Sequence, residues 1–352
     1  MLYRKGGVPP PFSFPQKNYI RGSMKAIIPV AGAGTKLRPH SYTQPKALIP
    51  LAGKTILGII IEQLQAAGIQ DFIFVVGYLG EKIEDFVQQR YPTLNAHFVH
   101  QTDRQGVGQA ILLTRDLVQG DDIFIVLGDT ICEYDIKAVM AESRSMIGLR
   151  KVEDPRDFGV AEIDDSGFIE HLVEKPQIPK SNLALVGIYR IKESEQLFRC
   201  LENNISQGVR SHGEYSLTDA LDCMIGQGIP LKSFKVDNWF DCGRKETLLE
   251  SNALLLKKFA GEIPTDHFEN TVFIPPVVVG AGCLIRNSVI GPNVAIGENT
   301  AIQSSVVKES IIGSYTTLQD IVVSDSVIGS DTLLQGEIRS LNVGDNTSID
   351  LG

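Results

Sequence analysis

The chain has 352 residues, 43% of them hydrophobic and 21% charged, which is ordinary for a globular protein of about two domains. A formal net charge of −9 argues against a nucleic-acid-binding protein, because such proteins usually present a basic face. No run approaches the ~18 uncharged apolar residues of a membrane span, and the five cysteines include no CxxC pair, so we predict a reduced, cytoplasmic protein without a disulfide framework or zinc site.

Residues 1–23 end in Gly22-Ser23, directly before Met24. They lack the continuous apolar core of a signal peptide. We interpret them as an added leader ahead of a native start at Met24. A native, disordered proline-rich arm is the alternative.

From residue 25 to about residue 260, short apolar runs alternate with helical patterns. Strands that are apolar throughout and alternate with helices favour a mostly parallel sheet covered on both faces. We therefore predict an α/β fold with a Rossmann-like mixed, mostly parallel sheet, in which ligands bind beyond the carboxyl ends of the strands. The predicted strands are Ile27–Val30, Phe72–Val76, His97–His100, Ile123–Leu127 and Leu231–Val236, and the predicted helices lie within residues 55–69, Glu81–Gln89 and Gly108–Val118.

The first strand is followed by a glycine loop, AGAGTK, at residues 31–36. It is not a dinucleotide-binding fingerprint, because Leu37 occupies the third glycine position, and the nearby LAGKT is not a P-loop, because Leu48 occupies its first glycine position. Unobstructed backbone N–H groups suit a phosphate chain; a surface turn with solvated lysines is the alternative for this stretch alone. Positive charge near the loop comes from Lys36, Arg38 and Lys46.

Two aspartates also follow apolar strands. Asp129 in IVLGDT and Asp241 in NWFDCG occupy a usual position for a Mg²⁺ ligand. Two carboxylates with lysines around a triphosphate would form a phosphoryl-transfer site that works by positioning and charge neutralisation. Taken singly, Asp129 could merely cap a turn, and Glu174-Lys175 in VEKP is a common solvated turn.

Around residue 270 the helical spacing stops and an Ile/Val-Gly pair recurs. The steps from Ile296 to Ile312 and on to Ile328 are both 16 residues, and the step to Val343 is 15. A short fixed period indicates stacked coils, because a single coil cannot bury its own apolar side. The pattern resembles the hexapeptide repeat of left-handed parallel β-helices; a β-sandwich with glycine turns is the alternative. The first residues of the pairs are Val279, Ile290, Ile296, Ile312, Ile328 and Val343.

The order of motifs along the chain resembles that of the sugar-1-phosphate nucleotidylyltransferases, especially the long-form glucose-1-phosphate thymidylyltransferases, which carry a C-terminal β-helix. The resemblance covers the chain from Met24 onward. It implies Mg²⁺-assisted, in-line attack of glucose-1-phosphate on the α-phosphorus of dTTP or UTP, with release of pyrophosphate. The motifs are AGAGTKL, PKALIPLAGK, QGVGQA, LGD, DFGVAEID, VEKP, NLALVGIY, GEYSLTD and NWFDCG.

The resemblance also implies a role for each matching position. Catalysis falls to Lys36, Lys46 and Asp129, metal binding to Asp129 and Asp241, nucleotide binding to Ala31, Gly32, Ala33, Gly34, Thr35, Gln101 and Gly106, and sugar-phosphate binding to Gly159, Glu174, Lys175, Gly187 and His212.

The chain departs from the family pattern at two basic positions. Lys36 stands where the family usually has arginine, so the bidentate fork is lost unless Arg38 supplies it. His212 replaces another arginine, with Arg210 as the alternative contact to the sugar phosphate. Beside Asp241, we interpret Cys242 as a small residue at a position usually held by threonine, and not as a metal ligand.

Other functions remain open at this point. The β-helix is also the scaffold of hexapeptide acyltransferases, but all six histidines precede the repeats. A non-catalytic nucleotide- or sugar-binding regulatory protein is another alternative, as is the same chemistry with GTP and mannose-1-phosphate. We predict a catalytic domain at residues 24–262, a β-helix at residues 263–352, and a homo-oligomer formed through the β-helix, whose coils end in open sheet edges.

Overall fold

The computed structural model describes residues 24–261 and 268–337, except for the side chain of Asp241. The chain divides into two compact units between Ser251 and Asn252, inside the helix Lys245–Phe259. The predicted leader at residues 1–23, residues 263–267 and the pair Val343-Gly344 lie outside the described residues. The predicted domain limits therefore stay a prediction.

The unit that ends at Ser251 alternates strands and helices along the chain, as the sequence predicts. Its strands are β1 Met24–Pro29, β2 Pro50–Leu51, β3 Lys54–Thr55, β4 Asp71–Val76, β5 Asn95–His100, β6 Asp122–Val126, β7 Thr130–Glu133, β8 Ser145–Lys151, β9 Gly159–Ile163, β10 Ile169–Glu174, β11 Leu183–Ile191, β12 Leu231–Lys235 and β13 Asn238–Asp241. Its helices are α1 Ile56–Ala66, α2 Gly80–Arg90, α3 Val107–Leu112, α4 Arg115–Val118, α5 Ile136–Ala141, α6 Ser194–Ser206, α7 Leu217–Gly226 and the first part of α8 Lys245–Phe259.

Among the described residues, nine strands form one mixed sheet. The order is β10-β9-β11-β6-β1-β4-β5, and β8 joins β11 to β12. Strands β6, β1, β4 and β5 run parallel, while β11 is antiparallel to β6. The carboxyl ends of the four parallel strands therefore meet at one edge, the edge where the sequence predicts a ligand.

The parallel strands β1, β4 and β6 are apolar because both faces of the sheet are covered there. Ile27, Phe72 and Phe124 are fully buried in β1, β4 and β6, and α3, α6 and α7 share a core with one face. Two-sided burial of this kind gives near-continuous hydrophobic runs.

One predicted helix is wrong in extent. The stretch Gly108–Val118 forms two short helices, α3 and α4. The buried hydroxyl of Thr114 donates to the carbonyl of Ile111 at 2.7 Å, a local bond that competes with helical pairing at the break.

Residues 272–335 form stacked coils. Their strands are β14 Val272–Phe273, β15 Val277–Val279, β16 Leu284–Arg286, β17 Val289–Ile290, β18 Val294–Ile296, β19 Ala301–Gln303, β20 Val306–Lys308, β21 Ile311–Ile312, β22 Thr317–Gln319, β23 Val322–Ser324, β24 Val327–Ile328 and β25 Leu333–Gln335. Every third strand pairs in parallel, which produces three flat sheets around an aliphatic interior. This arrangement is the left-handed parallel β-helix that the sequence predicts.

The glycine of the recurring pair sits where successive coils approach. A Cβ on Gly280, Gly297 or Gly313 would lie 2.4–2.5 Å from a backbone nitrogen of the next coil. No side chain fits at that distance, so the period seen in the sequence is the period of the coil.

No helix among the described residues is long and apolar enough to cross a membrane.

Candidate active site

The glycine loop leaves the carboxyl end of β1 with its backbone open at one side. Gly32 is exposed, and a Cβ placed on it would meet nothing within 4 Å. Gly34 has a φ of 60°, and a Cβ there would be 3.0 Å from the Cβ of Lys46. The hydroxyl of Ser41 donates to the Gly34 carbonyl at 2.7 Å, which fixes the turn. The loop thus presents backbone groups without side-chain obstruction.

The loop also packs closely against the residues that follow β4. Ala31 is buried, and its carbonyl accepts from the backbone N–H of Tyr78 at 3.4 Å. Gly77 is required beside it, because a Cβ there would lie 2.9 Å from the Cβ of Ala31. Thr35 and Lys36, at the other end of the loop, are exposed.

Lys46 and Asp129, 83 residues apart, meet beside this loop. The ammonium of Lys46 lies 2.6 Å from Oδ2 of Asp129. Their side chains are 18% and 42% exposed, so the lysine is held while the carboxylate stays open to solvent. The hydroxyl of Thr130 donates to the other oxygen of Asp129 at 3.3 Å.

The backbone of the second predicted metal ligand lies nearby. Strands β7 and β13 are antiparallel, with Asp241 opposite Thr130, the residue after Asp129. The side chain of Asp241 lies outside the described part of the structure. Cys242 is fully buried, as expected of a small packing residue.

Among the described residues no group of three or more His, Cys, Asp or Glu side chains could hold a metal ion. A Mg²⁺ site needs no such group when one or two carboxylates and substrate phosphates supply the ligands.

Gln101 and Gly106 occupy the loop after β5. Gln101 is 7% exposed, and its amide NH₂ donates to the Gly106 carbonyl at 3.1 Å and to Oε1 of Gln109 at 2.6 Å. Gly106 has a φ of 112°, and a Cβ there would lie 2.6 Å from the carbonyl oxygen of Tyr215. Tyr215 also accepts from the Gly108 N–H at 2.8 Å and donates to the Gln105 carbonyl at 2.7 Å.

Glu174 is held by the start of α7. Its Oε2 accepts from the hydroxyls of Thr218 at 2.5 Å and Ser216 at 3.3 Å. Gly159 pairs with Glu174 across β9 and β10, and a Cβ on Gly159 would lie 3.1 Å from that same oxygen. Because both hydroxyls bond Oε2, the orientation of the carboxylate is fixed.

Lys175 and His212 meet at the next turn. Lys175 has a φ of 44°, its N–H donates to the Phe158 carbonyl at 3.1 Å, and its ammonium lies 3.7 Å from Oε1 of Glu174. Nε2 of His212 lies 3.1 Å from the Lys175 carbonyl, a contact that requires a proton on Nε2. The guanidinium of Arg210 instead donates to the carbonyl of Gly213, in its own loop, at 3.0 Å.

Gly187 lies in an irregular stretch of β11 and faces the Asp129 region. It has a φ of 86°, and a Cβ there would lie 2.8 Å from Cδ1 of Leu127 and 3.1 Å from the hydroxyl of Thr130. A larger residue would therefore displace the turn that carries Asp129.

The structure thus brings the predicted residues together as three clusters, at the glycine loop with Asp129, at Gln101, and at Glu174. The exposed ammonium of Lys36 makes no hydrogen bond or ion pair among the described contacts. The sequence reasoning missed the groups that hold the predicted residues in place: the side chain of Gln109, the backbone of Tyr215, and the side chains of Ser216 and Thr218. The last three belong to the quoted GEYSLTD motif, and Ser216 caps α7 by accepting from the Thr218 N–H at 3.0 Å.

A cavity of about 380 Å³ lies elsewhere, beside β8 and β12. Its lining includes Leu149, Leu183 and Phe234 with Arg150 and Lys235. None of the predicted site residues lines it.

Comparison with known proteins places these features in a family. The nucleotidyl transferase family model matches residues 25–258. A glucose-1-phosphate thymidylyltransferase of Streptomyces griseus is 34% identical over 315 residues, covering 82% of this chain and 87% of that protein. The bifunctional protein GlmU of Methanocaldococcus jannaschii is 34% identical over 313 residues, covering 82% and 73%. A solved structure of a UDP-glucose pyrophosphorylase complexed with UDP-glucose is similar in fold, with a TM-score of 0.58 at 24% identity, covering 67% of this chain and 99% of that chain.

Proposed function

The chain belongs to the nucleotidyl transferase family and is a nucleotidyltransferase that acts on a sugar 1-phosphate; from that premise we propose that it condenses dTTP or UTP with glucose-1-phosphate. The products would be the nucleoside diphosphate sugar and pyrophosphate. The thymidylyltransferase relative supports glucose-1-phosphate and dTTP.

The observation that carries this proposal is the Lys46–Asp129 pair beside the glycine loop. A nucleoside triphosphate places several negative charges at one spot, and backbone N–H groups, lysines and a divalent cation are the groups that neutralise them. The loop Ala31–Thr35 would bind the phosphates through its backbone. Lys46 would contact them as a point charge, and Lys36 or Arg38 would assist from the exposed side.

Asp129 and Asp241 would hold Mg²⁺. Asp129 fits this role because its carboxylate is part-exposed and its neighbour Thr130 pairs with Asp241 across two strands. When bound, the ion would offset the charge of the phosphates and stabilise the charge that develops in the transition state.

The sugar phosphate would lie toward Glu174. A carboxylate whose Oε2 is fixed by two hydroxyls can offer its other oxygen to sugar hydroxyls. Lys175 and His212 would face the phosphate, and Gly159 and Gly187 would line the sugar. At the opposite end, Gln101 and the backbone of Gly106 would read the base.

The reaction is a displacement at phosphorus. An oxygen of the sugar phosphate attacks the α-phosphorus in line, the new P–O bond forms, and the bond to the β-phosphate oxygen breaks. Pyrophosphate leaves with that oxygen. The protein's contribution is to hold two anions together in a reactive geometry, which is worth several kcal/mol of the barrier.

The same chemistry with another pair, such as GTP and mannose-1-phosphate, is the second candidate. A relative named as the bifunctional protein GlmU is as identical to the chain as the thymidylyltransferase, at 34%, so identity alone does not single out one nucleotide and one sugar. A non-catalytic binding protein is disfavoured, since Lys46, Asp129, Glu174 and Lys175 are all present.

The test is a pyrophosphate-release assay with dTTP, UTP, GTP, ATP or CTP and with glucose-, galactose- or mannose-1-phosphate. We expect turnover to be highest with dTTP or UTP and glucose-1-phosphate. Release with GTP and mannose-1-phosphate alone would replace the proposed pair, and no release with any pair would refute the enzymatic proposal.

The metal assignment is tested in the same assay. We expect EDTA, Asp129→Ala and Asp241→Ala each to abolish turnover, while Asp85→Ala, an exposed aspartate on α2, stays at the wild-type rate. Full activity in EDTA or in either site variant would contradict the assignment. Circular dichroism should show that all three variants are folded.

We also propose that the catalytic domain spans residues 24–262, that the β-helix spans residues 263–352, and that the β-helix assembles the chain into a cytoplasmic homo-oligomer.

A further inference from the structure

Helices α6 and α7 each bring one cysteine to their shared interface. Cys200 of α6 is fully buried and Cys223 of α7 is half-buried. The two sulfur atoms, Sγ of Cys223 and Sγ of Cys200, are 2.6 Å apart. The two residues are 23 positions apart in the sequence, so no CxxC spacing signals the pair.

We propose that Cys200 and Cys223 are a modification site, at which thiol–disulfide exchange with a small disulfide of the glutathione class forms an intramolecular disulfide. A disulfide bond is about 2.05 Å long. The sulfur atoms therefore need only a small further approach, within a helix pair that is already packed.

The exchange proceeds in two balanced steps. The thiolate of Cys223, the more accessible residue, attacks one sulfur of oxidised glutathione, forms a mixed disulfide and releases one glutathione thiolate. Cys200 then gives its proton to water or buffer, and its thiolate attacks Sγ of Cys223. The bond between Cys223 and glutathione breaks, and the second glutathione leaves as a thiolate that takes up a proton. In sum, two protein thiols are oxidised and one glutathione disulfide is reduced to two glutathione thiols.

The order of attack follows from burial. Burial raises the pKa of the Cys200 thiol, with the neighbouring Cys223 as a second cause. Cys200 is therefore the second of the two thiols to ionise. The amide of Gln227 donates to Sγ of Cys223 at 3.3 Å and is its polar neighbour near the surface.

The Cys200–Cys223 disulfide would join α6 to α7, and the chain between the two cysteines carries residues of the candidate active site. Between the two cysteines, Tyr215 contacts the backbone of Gln105 and Gly108, and Ser216 and Thr218 orient Glu174. A cross-link between α6 and α7 closes a ring at residues 200–223 and removes conformational freedom from the unfolded chain.

The experiment uses the full chain, first reduced and then incubated with oxidised glutathione at pH 8. Thiols are counted in denaturant, and non-reduced tryptic peptides are mapped by mass spectrometry. We expect wild type to lose two of its five thiols, to yield a Cys200–Cys223 linked peptide, and to gain about 5 °C in Tm on oxidation.

Two variants separate this pair from the other cysteines. We expect Cys223→Ser to form no linked peptide and to show no gain in Tm. Cys283→Ser changes a partly buried thiol in the β-helix and should still lose two thiols. The proposal is overturned if wild type keeps five thiols, if glutathione remains on Cys223 without a link to Cys200, or if the linked form has a lower Tm.

Discussion

At the scale of single residues, the candidate site depends on side chains that hold other side chains. Thr218 and Ser216 fix Oε2 of Glu174, and Ser41 fixes the carbonyl of Gly34. Buried or part-buried polar groups that bond in this way lose little freedom when a ligand arrives, which is the main advantage of a preorganised site.

His212 leads to a prediction about charge at the same scale. Its Nε2 lies 3.1 Å from the Lys175 carbonyl, beside the proposed sugar-phosphate site. A guanidinium is always charged and can form two parallel bonds with a phosphate, so His212→Arg should lower the KM for glucose-1-phosphate about fivefold, the equivalent of about 1 kcal/mol.

The matched variant for His212 is Arg210→Ala. The guanidinium of Arg210 lies 4.3 Å from the ring centre of Tyr215 and bonds Gly213, so we expect a small change in KM. An unchanged KM in His212→Arg would remove the histidine from the site, and a large loss in Arg210→Ala would assign the contact to the arginine.

Asp219 leads to a prediction about stability and pH. Its Oδ1 accepts from Ser211 at 3.0 Å, while its buried Oδ2 has no hydrogen-bond partner among the described residues. Burial raises the pKa of Asp219; the Ser211 bond and the charge of His212 lower it, and the charges of Glu174 and Asp222 raise it further. Because the folded pKa lies above the unfolded one, ionisation costs stability, and that cost grows as pH rises through the folded value.

Asp219→Asn keeps the shape and removes the charge. We expect urea unfolding at pH 7 to give a free energy of unfolding above wild type by no more than about 0.5 kcal/mol, because solvent screens a half-exposed charge, with the difference shrinking toward pH 4. The exposed Asp85→Asn should show no such pH-dependent gain. A variant less stable than wild type at pH 7 would contradict a net cost of the buried carboxylate.

At the scale of elements, the β-helix is defined by the close approach of its coils. Successive coils pair in register at steps of 17, 16 and 16 residues, as in Leu284 with Ala301, Ala301 with Thr317 and Thr317 with Leu333. Gly280, Gly297 and Gly313 occupy equivalent corners. Glycine recurs there because the neighbouring backbone fills the space of a side chain.

Gly313→Ala tests this packing. Its Cβ would lie 2.4 Å from the backbone nitrogen of Ser330, which cannot move without disturbing the next coil. We expect a loss of about 2–3 kcal/mol, measured by thermal or urea unfolding. Gly226→Ala in α7 has no atom within 4 Å of the new Cβ and should be neutral or stabilising by up to ~1 kcal/mol. Equal stability of the two variants would rule out the packing explanation.

At the scale of the whole molecule, one flat face of the β-helix carries an outward column of valines. Val272, Val289, Val306 and Val322 are in register on neighbouring strands, and the two end residues are 58% and 73% exposed. A flat apolar face is self-complementary, since a second copy can stack on it as two sheets pack in a sandwich.

Light scattering tests this assembly. We expect the wild-type chain to be an oligomer at micromolar concentration and Val306→Glu to shift it toward monomer, because a charge would be buried in the interface. Leu284→Glu, on a different face and 73% exposed in the described structure, should leave the oligomer intact. A wild-type monomer, or equal effects of both variants, would count against the valine face.

The fold was largely predictable because short, repeating patterns of residues along the chain specify it. Apolar strands alternating with helices predicted a covered, mostly parallel sheet, and the recurring Ile/Val-Gly pair predicted the coils. The break between α3 and α4 at Thr114 was missed. The apolar spacing continues through it, and the sequence does not show that the Thr114 hydroxyl bonds the Ile111 carbonyl. The candidate site residues were predicted from the order of motifs along the chain. That order gives residue types and sequence positions, but it gives no distances between side chains.

By itself, the sequence determined the two architectures and the family, and it predicted a ligand at the carboxyl edge of the sheet. Only the tertiary structure decided that Lys46 lies against Asp129, that Ser216 and Thr218 hold Glu174, and that Cys200 faces Cys223. The physical reason is the separation of the residues along the chain. The periods of strands and helices arise from neighbouring residues, whereas these contacts join residues 23 to 83 positions apart. Such contacts form only once the packed sheet and helices have offset the entropy of closing the chain between them.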